Sequence, residues 1–350
     1  MPTIFDLITA KAIATYWNER LAKTNMYLGK ALFPAKKQLG LDLAWFVGAS
    51  GVPITLRQSE FDTEAKLRDR IGLTRIDTEM PFFREQMLIG EKERQELNKL
   101  KAADQAMVQP ILNKIYDDAG NLVLGSDAAA ERMRMQLLAT GKIGIIDSGV
   151  AIDYDYALPT SNKHTITSAT AKWAALDTAK PIQDITDWQD EVEEKTGVRP
   201  TRAICTKKTF NYLVNNESIR KDMQPLAAAS LIVTPKMVRE YLLNKCDLEI
   251  SVNTSSYKTS LKGEAQKYFL DDVFTLIPTG NLGNTHFGTT PEESDLMSGG
   301  SKAQVDIVNT GVAITTLRNE HPVNVQTIVS AIMLPSWEMR DQCFIATVNS

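Results

Sequence analysis

The stretch SEFDTEAKLRDRIGLTRID, residues 59–77, is densely charged and has no apolar face wide enough to close a core. On one side stand LGLDLAWFVG (39–48) and GVPITLRQ (51–58). Their β-branched and aromatic content, bounded by Gly and Pro, predicts strands. On the other side stands TEMPFFREQML (78–88). Any core must therefore come from outside this excursion, and a long, polar, two-armed projection is the expected shape. Such a projection exposes strand edges, which proteins cover by packing against a neighbour. The excursion thus reads as an intermolecular arm.

The 350 residues, 43% hydrophobic and 23% charged, suffice for two or three compact units. Lys and Arg total 39 against 43 for Asp and Glu, a formal charge of -4, so the basic surplus of a dedicated nucleic-acid binder is missing. Cys205, Cys246 and Cys343 are odd in number and far apart, with no CxxC pair and no His at metal spacing. Neither a disulfide framework nor a zinc site is expected, and the chain reads as cytosolic. MPTIFDLITAKAIATYWNERL places Asp6 where a signal peptide needs apolar residues, and no apolar run reaches membrane-spanning length. The Asn-x-Ser matches at Asn216 and Asn253 then have no compartment in which to be glycosylated.

Ala10, Ile13, Ala14, Trp17 and Leu21 recur at helical spacing after Thr3, a candidate cap. Leu97 to Ile115 is also helical in pattern, with a kink or break expected at Pro110 and a turn at Asp117 to Gly120. SDAAAERMRMQLLATG (126–141) has a Ser126 or Asp127 cap, helix-favouring alanines, Met133, Leu137 and Leu138 on one side, and Gly141 as a stop. KIGIIDSGVAIDYDYALP (142–159) predicts strands, and the Ser/Thr-rich segment after it a connector. From about residue 166 a mixed α+β unit is expected: helix PIQDITDWQDEVEEKTG, strand TRAICT, helices KKTFNYLVNN and TPKMVREYLLNK, and strand DLEISVNTSS. AQVDIVNTGVAITTL, VNVQTIVSAIMLPSWE and CFIATV predict a strand-rich end.

GNTHFGTT (283–290) follows the apolar VFTLIP and has the outline of a phosphate-binding loop. That motif needs a Lys to reach the β and γ oxygens, but Thr289 stands there, and Glu292, Glu293 and Asp295 would add negative charge. A Gly-rich loop with positive φ at its glycines is the plainer expectation. His164, His286 and His321 are scattered and read as loop residues. Asp153 and Asp155 of DYDY could face a cation, but strand alternation puts them on one solvated face. The acids of DWQDEVEEK form the wet face of a helix, and Met107, Met133 and Met135 read as core. The convergence of nucleophile, base and charge-stabilising groups that an enzyme needs is nowhere visible. No catalytic, cofactor-binding or metal residue is assigned.

TEMPFFREQMLIGEKERQEL, YDDAGNLVLGSDAAAERMRMQLLATGKI and LIPTGNLGNTHFGTTPEESDL resemble the tailed-phage major capsid protein E family, the family of the phage lambda major head protein. The resemblance runs nearly end to end; the three blocks together are specific, whereas LGN alone is weak. It implies an α+β, HK97-like major capsid protein fold: an N-terminal arm (1–48), an extended loop (49–88), a peripheral domain with a spine helix (89–165), an axial domain (166–317) and C-terminal strands returning to the core (318–350). It also implies a structural protein without catalytic residues or cofactors. Hexamers and pentamers would close an icosahedral shell around packaged double-stranded DNA, without sequence-specific binding. Scaffolding, portal and possible decoration proteins would be partners, no membrane would be involved, and assembly in the bacterial cytoplasm would place the protein in the virion. A cellular nanocompartment shell of similar fold is the nearest alternative, and a nucleotide-binding enzyme the remote one.

Overall fold

In the computed structural model, residues 108–140 wind into one continuous helix despite Pro110 and the turn-like DDAG at 117–120. The described residues are 8–21, 27–47, 74–92, 95, 108–147, 150–224, 232–260, 262–298, 303–321 and 323–350. Pro110 sits in the first turn, where its missing N–H leaves no ladder bond unmade. Turn chemistry at Asp117 to Gly120 loses to packing: Ala119, Leu122 and Val123 are buried, and Tyr16 donates to Asp117 Oδ1 at 2.8 Å. Ser126 lies mid-helix, its hydroxyl turned back to Val123 O rather than capping a new start. Gly141 ends the helix in the left-handed region, φ 76°, as the sequence predicts.

In chain order the elements begin with helices α1 (Ala10–Leu21) and α2 (Leu28–Leu32). Strands β1 (Ala35–Lys37), β2 (Asp42–Val47), β3 (Thr74–Glu79) and β4 (Phe82–Ile89) follow, then the long helix α3 (Val108–Thr140). Next come β5 (Lys142–Asp147), β6 (Val150–Asp155), β7 (Lys163–Thr165), helix α4 (Pro181–Thr196) and β8 (Arg202–Thr206). Helices α5 (Lys207–Asn215), α6 (Glu217–Met223) and α7 (Pro235–Cys246) lead to β9 (Glu249–Asn253), β10 (Ser256–Tyr257), β11 (Gln266–Lys267), β12 (Val273–Ile277) and β13 (Thr285–Phe287). Helix α8 (Pro291–Ser298) precedes β14 (Gln304–Val308), β15 (Val312–Glu320), β16 (Val323–Pro335) and β17 (Phe344–Thr347).

The chain divides into two compact units, residues 1–44, 77–133 and 284–336 in one, and 45–76, 134–283 and 337–350 in the other. The first unit is built on β16. Its thirteen residues pair with β15 on one side; on the other they pair with β4 over Val325–Ile332 and with β13 over Met333–Pro335. β14 and β1 complete the sheet at its ends. Ile13, Ala14 and Trp17 bury one face of α1, which packs on β14 and β15, and the Trp17 indole donates to Asn309 Oδ1 at 3.2 Å. The cap of α1 is Thr9, whose hydroxyl accepts from Ala12 N; Thr3 lies outside the described residues.

The second unit is a five-stranded sheet in the order β7-β17-β12-β8-β9. β12 is central and buried at every residue; its apolar side chains enter the core and the one polar residue, Thr275, is hydrogen-bonded. Ile185, Trp188 and Val192 from α4, Phe210 and Leu213 from α5, and Val238 and Leu242 from α7 close the core over Phe274 and Phe344. Trp188 stacks between Trp173 and Phe344, with ring centroids 6.0 and 5.5 Å away. Thr206, Asn216 and Thr234 cap the three helices α5 to α7, with Pro235 in the first turn of the last. The carbonyl of Leu138 in the last turn of α3 accepts from Thr275 Oγ1 on β12 at 2.8 Å. β5 and β6 pair antiparallel.

Candidate functional site

GNTHFGTT contains a buried strand. Thr285, His286 and Phe287 form β13, paired with β1 on one side and β16 on the other. The flanking amides are engaged too: Thr285 N donates to Pro34 O at 2.9 Å, Gly288 N to Ile332 O at 2.9 Å and Thr289 N to Gly40 O at 3.4 Å. Amides bonded in this way cannot cradle a phosphate. Nor do Gly283 and Gly288 supply positive φ, which falls instead at Gly280. Gly288 is needed for close approach, since a Cβ there would meet Gly40 O and Ile332 Cγ2 at 2.7 Å.

The acids that follow are structural. Glu293, its side chain 4% exposed, accepts from Lys37 Nζ at 2.5 Å, and the same ammonium donates to Gly288 O at 3.0 Å. Glu292 receives Arg84 at 2.6 Å and the Ser330 hydroxyl at 2.9 Å. Both carboxylates thus bind α8 to strands, one of them in the N-terminal segment. Sequence reading missed these pairs because their members lie 208 to 256 residues apart. Only the unusual run of acids after a Pro marks them.

The other motifs resolve residue by residue. His286 is buried in β13 rather than in a loop, His164 is an exposed residue of β7 near the Trp188 ring, and His321 is exposed in the turn between β15 and β16. Asp153 and Asp155 lie exposed on β6, as alternation predicts. The Lys142 ammonium at 2.8 Å, with the Ala157 amide, holds the Asp155 carboxyl below its usual range. Among the described residues no three His, Cys, Asp or Glu come together as a metal site. No helix among them is long and apolar enough to cross a membrane.

Cys205, Cys246 and Cys343 are free and buried, and burial pushes the thiols of Cys205 and Cys343 up to about 12. At neutral pH they are protonated and unreactive. Asn216 and Asn253 are buried in capping and turn hydrogen bonds. On α4, Asp190 and Glu193 meet Arg199 and Glu191 meets Lys195, all on the solvated face. Met133 and Met135 are fully buried, while Met107 lies outside the described residues.

Surfaces remain where chemistry does not. β2 and β3 pair as a two-stranded root. The strand expected at 51–58 and the charged arm from 59 to 73 lie between them, outside the described residues. In the first unit β4 is exposed almost throughout, with Phe82, Met87 and Leu88 open to solvent. Leu39 and Leu41, in the turn after β1, are exposed as well.

A family model described as phage major capsid protein E matches residues 9–348. The chain belongs to that family. The sequence finds no significant match among the curated proteins. Among solved structures it is similar to a prophage protein of Escherichia coli CFT073 assigned there as a capsid protein, at 14% identity over 97% of this chain and 99% of that one, with a TM-score of 0.62. A phage-related protein of Bordetella bronchiseptica RB50 matches at 11% identity over 97% and 96% of the two chains, TM-score 0.50. The capsid of Cyanophage A-1(L) matches at 12% identity over 92% of each, TM-score 0.50. These likenesses carry the fold, α+β and HK97-like. The protein is a major capsid protein of a phage, a structural component of the virion that assembles in many copies, and not an enzyme.

Proposed function

We propose that this chain forms hexamers and pentamers that close an icosahedral shell around packaged double-stranded DNA. Assembly takes place in the bacterial cytoplasm with a scaffolding protein and a portal, and a decoration protein can be added outside. Residues 1–48 serve as the N-terminal arm, 49–88 as the extended loop and 89–165 as the peripheral domain with α3 as its spine. The axial domain covers 166–317, its compact part being the five-stranded unit up to residue 283. Residues 318–350 return to the core. No residue has a catalytic, metal-binding or cofactor-binding role.

The observation that carries the reading is the paired root of β2 and β3, from which a densely charged segment departs and returns without an apolar face to bury. A ring of identical subunits needs two different complementary surfaces on each, and a projecting segment with a receiving face supplies them. The acidic balance suits a wall beside DNA, since strong phosphate contacts would hold the genome back on release. The test is expression of the chain alone and with its scaffold gene, followed by size-exclusion chromatography and negative-stain electron microscopy. Shells or capsomer rings are expected, and deletion of residues 59–74 should leave a folded, soluble subunit that closes none. Unchanged shell yield from the deletion would refute the assigned role of the arm; a persistent monomer of the full chain in both samples would refute the assembly.

A further inference from the structure

The sheet of the first unit has three terminal strands, and two of them are guarded. β1 is only three residues long and carries the exposed Lys36; β14 packs against α1 and α8. Among the described residues β4 has neither protection. It runs in unbroken register with β16 from Phe82 opposite Ile332 to Ile89 opposite Val325, without proline or bulge. Its other edge pairs with no strand among the described residues. Five consecutive residues, Arg84 to Leu88, are exposed, so both faces of the strand are open. Arg84, which could deter pairing, is turned to its own chain: the guanidinium reaches Glu292 at 2.6 Å and lies 4.6 Å from the Phe82 ring centre.

A cleft of about 460 Å³ in the same unit is lined by Leu39, Gly40, Leu41, Thr289, Pro291 and Ser294, and α8 links it to this strand through the Glu292–Arg84 pair. Leu39 and Leu41 are 77% and 43% exposed, and Pro291 precedes the Glu292 that holds Arg84. An open backbone edge and an apolar cleft joined by one helix suit an extended peptide, which pairs through its main chain and seats a side chain in the cleft. We infer that the β4 edge and this cleft form the receiving face for an extended segment of a second copy of the chain. The inference rests on the assembly reading. In a shell built of many copies, another subunit is the partner at highest local concentration. Open amides and carbonyls over about 27 Å select a strand rather than a helix or a flat surface. With Arg84 neutralised by Glu292 and Glu85 exposed, the charge along the edge disfavours nucleic acid.

Hydrogen exchange read by mass spectrometry on the free subunit and on purified shells tests this. About half the amides of residues 82–89 face away from β16; they should exchange freely in the subunit and slow at least tenfold in the shell. The double variant Met87→Lys, Leu88→Lys should keep the subunit's melting temperature and lose shells about tenfold, because lysines guard an edge. Leu41→Lys, in the cleft, should weaken assembly in the same direction. Equal exchange in subunit and shell, or wild-type shell yield from the double variant, would overturn the inference while leaving the assembly reading intact. Failure of the unaltered chain to form any particle, with or without its scaffold, would overturn both.

Discussion

Lys37 shows how one side chain can fasten a segment. β1 contributes only three ladder residues, yet its last residue reaches both a backbone carbonyl and a buried carboxylate. Removing the ammonium leaves Glu293 buried without its cation, which is costlier than removing both charges. Because Lys37 is itself about a third exposed, we expect Lys37→Met to lower subunit stability by about 2 kcal/mol, and Glu293→Met in the same chain to restore part of it, as read by chemical denaturation. A second polar knot lies around Asp272, at φ 63°. Burial alone would raise its pKa, but bonds from Lys208 at 2.6 Å, Asn349 at 3.1 Å and Tyr212 at 2.9 Å outweigh that and leave the carboxyl below its ordinary 3.8. The folded value lies below the unfolded one, so the stabilisation is complete above about pH 4 and is lost as pH falls through the folded pKa. Asp272→Asn tolerates the left-handed backbone. It should cost about 1 kcal/mol at pH 7 and progressively less as pH falls below about 4, measured by urea unfolding across that range.

Among the elements, α3 was the most legible in part and the least in extent. Its second half was plain from alanines, an apolar stripe and Gly141, and the stretch up to Ile115 was helical in pattern; the continuity of the two was hidden because Asp, Gly and Asn at 117–121 favour turns in isolation. Contacts far along the chain decided it, since Trp17 lies 3.7 Å from where a Cβ on Gly120 would sit. Gly125 has no such neighbour. It is exposed within the helix, and a Cβ there would meet nothing within 4 Å. Gly125→Ala should therefore stabilise the isolated subunit by about 0.5–1 kcal/mol, raising its melting temperature. In the second unit β9 was readable from alternation at Leu248, Ile250 and Val252, whereas Val273–Ile277 showed only as an apolar stretch around Thr275. β13 was not: three residues between glycines carry no periodic signal, and only its two partners make it a strand. α6 was likewise missed, because its cap, Asn216, also ends the helix before it.

For the molecule as a whole, the family followed from blocks spread along the chain. The pairs that secure the first unit were illegible, because nothing in a linear pattern tells Arg84 that Glu292 will be its partner. The three sequestered thiols have a practical meaning for a particle made of many such chains. With Cys205, Cys246 and Cys343 all buried and protonated, none competes for a thiol reagent while the subunit stays folded. A single cysteine engineered onto an outer surface would thus take up label alone, once per subunit, and turn a closed shell into an addressable lattice.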